Sequence, residues 1–470
     1  MALTGGLFIM DKYVFKKDIE CAYDTDVLVC GAGPAGFAAA ISAAREGKSV
    51  ILAEKNAFCG GMATAGLVAP FMTCYDSSGE RQLIAGIFEE LVQRLVKCGG
   101  ALYHKDIPAW QSFTSYIGPG HIHVTPFDAE DLKRVCDEML IEAGVRVLYH
   151  TEFVSAELSD DGKQIDHVVL SQKSRLVAAK AKIVIDCTGD GDVAASAGEE
   201  YVNGNGKSMQ PASMFFRIGN VDLAKVDADI EANRDNFYRK DGINYRSFHW
   251  RVAEAKAAGD WTLDRVSIGM FRGVREDEWS INTSRVMNID GTDSESLTRG
   301  EIEGRAQVKE IYEFLKKYVP GCENAKLLSS GSTLGIRETR HIKGMKTLTV
   351  DALLNGEVPN DSIMIAANSV DVHGKFGPKS NEYITLKEGT YYGVPYGCLV
   401  PFKTDNLLVA GRCISATSDA AGAIRVMPPC FALGEAAGKA ASCAIDADVS
   451  VKNVDVEVLR KLLTDGGALL

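Results

Sequence analysis

Apolar residues gather in short runs near the two ends of the chain, and most of these runs stop at a glycine. Residues 25–31 (TDVLVCG) are β-rich and lead into a glycine turn. Residues 35–46 (AGFAAAISAARE) read as a helix whose small side chains permit close packing; Gly47 ends it, and 49–54 (SVILAE) form a second strand. Strand, turn, helix and strand within about 30 residues make a βαβ unit. Further on, 128–143 (DAEDLKRVCDEMLIEA) is an amphipathic helix with Leu132, Val135, Cys136 and Met139 on one face. The strand-like runs 145–158 and 166–171 flank a DDGK turn, and 182–188 (KIVIDCT) is a buried strand. Near the C-terminus, 406–411 (NLLVAG) is again a buried strand, and 428–446 is an alanine- and glycine-rich helix opened by Pro428 and Pro429.

Between these ends the pattern changes. Residues 207–394 hold three of the four tryptophans, many tyrosines and charges, and fewer apolar runs. The expectation is an α/β protein. A Rossmann-like domain is assembled from discontinuous segments 20–75, 125–205 and 395–450, and a mixed α+β substrate-binding unit is inserted from 76–124 and 206–394. Residues 451–470 form a helical tail. The length of 470 residues suits two domains, and 46% hydrophobic with 24% charged residues suits a globular chain in solution. No apolar run reaches membrane-spanning length, and the N-terminus lacks the basic flank, apolar core and cleavage site of a secretion signal. A net charge of −12 without a basic block argues against nucleic acid or an anionic membrane as partner. Twelve cysteines without a CxxC pair read as reduced, mostly buried thiols in the cytoplasm, and eight scattered histidines give no metal site.

The chemistry starts at GAGPAG. Gly31 permits the tight turn, Gly33 lets the backbone approach a pyrophosphate, and Gly36 lets the helix lie close to the strand. The helix N-terminus that follows favours negative charge. Glu54 closes the next strand 18 residues beyond Gly36, where a carboxylate accepts hydrogen bonds from ribose hydroxyls. A second glycine turn, CGGMATAG (59–66), follows it. TGDGD (188–192) and AGRCISATSDAAGAIRVMPP (410–429) end later strands at the same sheet edge. A long dinucleotide fits this series better than NAD does.

These motifs resemble those of the FAD-dependent oxidoreductases of the glutathione-reductase-like, two-dinucleotide-binding-domain superfamily. The closest likeness is to a branch with GxGxxG, GGMAT, DxTGDGD, GIRETR and AGRCxSAT…RVM, here Gly31–Gly36, Gly60–Thr64, Asp186–Asp192, Gly335–Arg340 and Ala410–Met427. The resemblance implies non-covalent FAD. Gly31, Gly33, Pro34, Ala35, Gly36, Glu54 and Lys55 would hold its adenylate end, and Val154 would meet the adenine through its backbone. Gly60, Gly61, Met62 and Ala63 would lie along the ribityl or flavin portion, beside Thr188, Gly189 and Asp190. Gly411, Arg412, Ala416, Ala423 and Val426 would line the ribityl chain and pyrimidine ring. The chain departs from the superfamily's disulfide reductases, because Cys59 has no partner before Cys74. A second nicotinamide motif is missing too, since NGNGKS (203–208) lacks the third glycine.

For the substrate, Arg337 and Arg340 of GIRETRH offer guanidinium forks for a carboxylate or other anion, or a structural ion pair. His373 of DVHG is the candidate proton donor, with Tyr392 or its neighbours Tyr391 and Tyr396 as an alternative. His121 and His123, alternating on an extended segment, form a weaker pair. The function expected is two-electron hydride oxidation or reduction of a small organic substrate, with NAD(P)H or a protein as electron donor or acceptor. A flavoprotein electron-transfer subunit and a flavin monooxygenase are the alternatives, although AGRCISAT does not match the hydroxylases' GDAAH-like signature. Substrate, direction of electron flow and oligomeric state, a homodimer included, stay open at this level.

Overall fold

The computed structural model describes residues 14, 16–117, 121–240, 243–373 and 381–470. The remaining N-terminal residues and the glycines beside His121 and His373 lie outside this set. Strands β1 (Glu20–Cys30), β2 (Val50–Ala53), β3 (Arg146–Leu148), β4 (Glu152–Leu158), β5 (Ile165–Gln172) and β6 (Arg175–Asp186) form a sheet in the order β3-β2-β1-β6-β5-β4. The neighbours β3, β2, β1 and β6 run parallel. The long β6 pairs antiparallel with β5 in its first half and parallel with Leu407–Val409 in its last three residues. Register sets Cys30 beside Ala53 and Asp186, Ala53 beside Leu148, and Asp186 beside Val409. Four glycine-bearing or acidic connections therefore leave one edge of the sheet together, which is where open α/β sheets bind ligands.

Two sequence boundaries moved. The run at 145–158 breaks between Leu148 and Glu152, where His150 takes a φ of +51°. Strand β6 begins seven residues before the expected Lys182, because Val177 and Ala179 continue the buried alternation against β5.

Helix α1 (Pro34–Arg45) packs along the helix Met427–Ala447, and small residues set their spacing. A Cβ on Gly434 would stand 2.0 Å from the Ala35 carbonyl oxygen, and one on Gly438 would stand 2.1 Å from Ser42 Oγ. Ser42 Oγ donates to the Glu435 carbonyl at 2.9 Å across this contact. The alanine and glycine content of both segments thus produces an approach that larger side chains would block.

A second core surrounds Phe216, Phe248, Trp279 and Phe314. It lies under the antiparallel sheet Met270–Arg272, Trp279–Ile281, Phe216–Gly219 and Lys326–Ser330, and the helix Ser294–Tyr318. Two segments from the middle of the chain pack into the first core. The helix Ile87–Lys97 sends Phe88, Leu91 and Leu95 into the first core, as does the strand pair Ser362–Ala366 and Tyr392–Pro395 through Ile363, Ile365, Tyr392 and Val394. Their apolar faces fit the α1 layer, a preference that composition alone does not reveal. The tail helix Val456–Asp465 also buries Leu459 and Leu463 there. All twelve cysteines are free thiols, and Cys21 and Cys98 are exposed. Among the described residues no helix is long and apolar enough to cross a membrane.

Candidate functional site

A cavity follows the sheet edge from Glu152 and Phe153, past Glu54 and Gly33, to Arg412, Arg425 and His373. At the first turn the three glycines do different work. Gly31 has a φ of +94°, and a Cβ there would lie 2.5 Å from the Cys187 carbonyl oxygen. At Gly36 a Cβ would come within 1.7 Å of the Gly31 oxygen, so only hydrogen fits between strand and helix. Gly33 differs, with an ordinary φ of −68°. A Cβ there would meet nothing closer than Gly61 Cα at 4.0 Å, and the residue lines the cavity. Its bare backbone leaves open the space in front of α1, whose first N–H groups have no intrahelical acceptors. A pyrophosphate fits that cradle.

Glu54 is buried, at 5% exposure. Its Oε2 accepts from Ala32 N–H at 2.7 Å, and Oε1 accepts from Asn56 N–H at 2.8 Å and Asn56 Nδ2 at 2.6 Å. Three donors on about four lone-pair sites leave capacity for one ribose hydroxyl. Pro34, Ala35, Lys55, Gly61, Met62, Thr188, Gly189, Asp190, Gly411 and Val426 also line the cavity. Gly60, Ala63, Ala416 and Ala423 are not among its lining residues; Gly60 N–H donates to the Ala32 carbonyl at 2.9 Å, tying the second glycine turn to the first. Val154 is 47% exposed on β4, and its neighbours Thr151, Glu152 and Phe153 face the cavity instead. Arg412 Nη2 donates to Asp190 Oδ1 at 2.7 Å and Nη1 to the Ile336 carbonyl at 2.7 Å. Thr339 Oγ1 donates to the same Asp190 oxygen at 2.7 Å. The TGDGD, GIRETR and AGRC segments are therefore one hydrogen-bonded unit.

At the far end the structure separates the expected substrate residues. Arg337 lines the cavity and donates through Nη1 to the Pro211 carbonyl at 2.6 Å. Arg340 does not reach it; Nη1 donates to the Asp190 carbonyl at 2.9 Å and to Asp192 Oδ1 at 2.7 Å, and the guanidinium lies over the Tyr201 ring. Arg340 thus sits in a structural ion pair, with Asp192 and not with the nearby Glu338 or Asp351. Tyr392 is wholly buried in the first core, and its hydroxyl donates to the Asn368 carbonyl at 3.5 Å. Tyr396 donates to the Val451 carbonyl at 2.8 Å, and Tyr391 lies under Arg81.

His373 does line the cavity, but both ring nitrogens have protein partners. Nε2–H donates to Asp371 Oδ2 at 3.1 Å, and Arg285 Nη2 donates to Nδ1 at 3.2 Å. Burial, with Arg337 and Arg425 nearby, lowers its pKa to about 3 against the pull of Asp371. The imidazole is neutral near pH 7, and its one N–H is committed to Asp371. It positions Asp371 and Arg285. His121 and His123 are not a pair, because His123 adopts a φ of +54° in a turn. Its nitrogens meet the carbonyls of His104 and Gly79, whereas His121 is buried.

Sequence reasoning missed three groups here. Arg425, inside the RVM segment, lines the cavity and donates through Nη2 to the Asp371 carbonyl at 2.8 Å. Asp371 lines it as well; burial raises its pKa, but His373, Arg425 and Arg337 outweigh that and hold it well below the usual carboxylate range. Arg285 sits in a segment without any motif. Adjacency to His373 and Val426 could have flagged the first two. Cys59 is buried, which pushes its thiol up to about 12, and the Tyr149 hydroxyl donates to Sγ at 3.3 Å.

A family model described as FAD dependent oxidoreductase matches residues 26–463. No curated protein matches the chain. Similar solved structures include a geranylgeranyl bacteriochlorophyll reductase-like protein of Thermoplasma acidophilum, 14% identical over 94% of this chain and 84% of that one, with a TM-score of 0.44. The myxobacterial chondrochloren halogenase CndH is 13% identical over 95% and 80%, with a TM-score of 0.46. The p-nitrophenol 4-monooxygenase PnpA of Pseudomonas putida is 12% identical over 94% and 85%, with a TM-score of 0.43.

Proposed function

The chain belongs to the family of FAD-dependent oxidoreductases, with FAD as its cofactor, and on that premise we propose that it exchanges a hydride between non-covalently held FAD and a small organic substrate. The observation that carries this reading is the continuity of one cavity from the Gly33 cradle to Arg337 and Arg425. FAD supplies the two-electron chemistry when bound. The chain's own residues hold and orient. Gly33 and the α1 N-terminus receive the pyrophosphate, and Glu54 receives a ribose hydroxyl. Arg412, fixed by Asp190, shapes the wall between the two ends. Phe215, Phe271 and Leu334 give the substrate end an apolar lining that excludes water.

Direct exchange is favoured over a thiol relay. The cavity's Cys30, Cys187 and Cys430 all have pKa values raised by burial, Cys430 to about 12, so no thiolate is at hand. Anaerobic rapid mixing of the holoprotein with small organic donors and with NAD(P)H, followed by organic acceptors, tests the proposal. The expected result is bleaching of the flavin by a small molecule and reoxidation by another. Bleaching and reoxidation by protein partners alone would contradict it and favour an electron-transfer subunit.

A further inference from the structure

We propose that the substrate end of the cavity binds the carboxylate of a small organic acid, with Arg337 and Arg425 as its partners. The inference rests on the flavoenzyme reading above and names the class of substrate. Five guanidinium groups, Arg246, Arg265, Arg285, Arg337 and Arg425, are close enough to perturb one another there. They share Asp371. Two further carboxylates lie at the margins. Glu338 acts on Arg425, but it already accepts from His341 Nε2 at 3.0 Å and Gln210 N–H at 3.1 Å. Asp264 acts on Arg285 and is exposed. His373 adds no charge in its neutral form. Among the described residues the five guanidinium groups outnumber the three carboxylates that act on them, in a buried place where uncompensated charge is costly.

Two of the five face the cavity, and they have donors to offer. Arg337 commits Nη1 to Pro211 and Arg425 commits Nη2 to Asp371, out of five N–H groups on each. Arg425 Nε is buried with no hydrogen-bond partner among the described residues. Burial and the opposing Arg425 lower Arg337 to about 9, as expected of a site short of negative charge. Bound anion would relieve this. Phe215, Phe271, Leu334 and Ile336 line the same end, so the anion has an organic body beside its charge. Inorganic phosphate would satisfy the guanidinium groups and leave those apolar faces wet.

Calorimetric titration of the holoprotein as purified, with visible spectra of the flavin recorded in parallel, tests this. The probes are benzoate, phenylacetate and succinate, their amides, and inorganic phosphate. At least one carboxylate is expected to bind saturably and perturb the flavin spectrum, and its amide to bind at least tenfold more weakly. Arg337→Gln and Arg425→Gln are each expected to weaken that carboxylate at least tenfold while retaining flavin. Should a variant not fold, the carboxylate–amide contrast on the unaltered protein decides. Carboxylates binding no better than amides, or phosphate binding as well as the best carboxylate, would overturn the inference and leave the flavoenzyme reading standing. A preparation without flavin would instead overturn that reading.

Discussion

Gly33 and Gly36 are neighbours in one turn, yet substitution at each should fail differently. At Gly36 a Cβ would meet the Gly31 oxygen at 1.7 Å, so Gly36→Ala is expected to cost more than ~3 kcal/mol and leave little folded protein, as measured by urea denaturation. At Gly33 the new side chain enters open space, so Gly33→Val should keep stability within about 1 kcal/mol and purify without flavin. Equal destabilisation by both would contradict the division of labour. Cys59→Ala is expected to keep flavin and turnover within about twofold, since a thiol raised to about 12 takes no part in exchange. A large loss of turnover with flavin retained would restore it as a redox thiol. At this scale the tight turn of the glycines and the strand-end position of Glu54 were legible, because their spacing within one βαβ unit states their geometry. Arg425, Asp371 and Arg285 were not, since segments well separated in sequence converge on one point. Arg340 misled for the same reason: the acid that binds it, Asp192, opens a short helix far upstream.

Among the elements, the helix Met427–Ala447 carries a buried carboxyl that should make stability depend on pH. Glu435 Oε2 accepts from Ile87 N–H at 3.0 Å, and burial pushes its pKa from 4.5 up to about 7, despite Lys439 and Arg45 nearby. Between these values the unfolded chain has released the proton and the folded chain still holds it. Its contribution is therefore greatest below pH 4.5 and is lost as the pH rises toward 7. Glu435→Gln keeps an acceptor for Ile87 and removes the cost of ionisation. It should stabilise by on the order of 2 kcal/mol at pH 8 and by little at pH 4, by denaturant titration. The same difference at both pH values would contradict this. Element types and order were read correctly from periodicity: α1, the amphipathic helix Ala129–Glu142 and the C-terminal helix begin within about two residues of expectation. The break at His150 escaped because a left-handed residue leaves no mark in a hydrophobic pattern.

Across the whole molecule, the cavity draws Gly31, Glu54 and Arg412 from one core's elements and Phe271, Leu334 and Arg337 from the layer over the other. That the sheet domain is discontinuous was legible, because strands of one style appear at both ends of the chain. Which middle segments join it was not, since Ile87–Lys97 and Ser362–Ala366 choose their core by tertiary fit. The central claim is that this cavity holds FAD without a covalent bond, with its pyrophosphate at Gly33. Acid precipitation of the purified protein, with the supernatant analysed for released dinucleotide, tests it most directly. The account predicts a yellow protein that releases close to one FAD per chain and leaves a colourless pellet. A colourless protein releasing a nicotinamide dinucleotide, or a flavin that stays with the pellet, would contradict it.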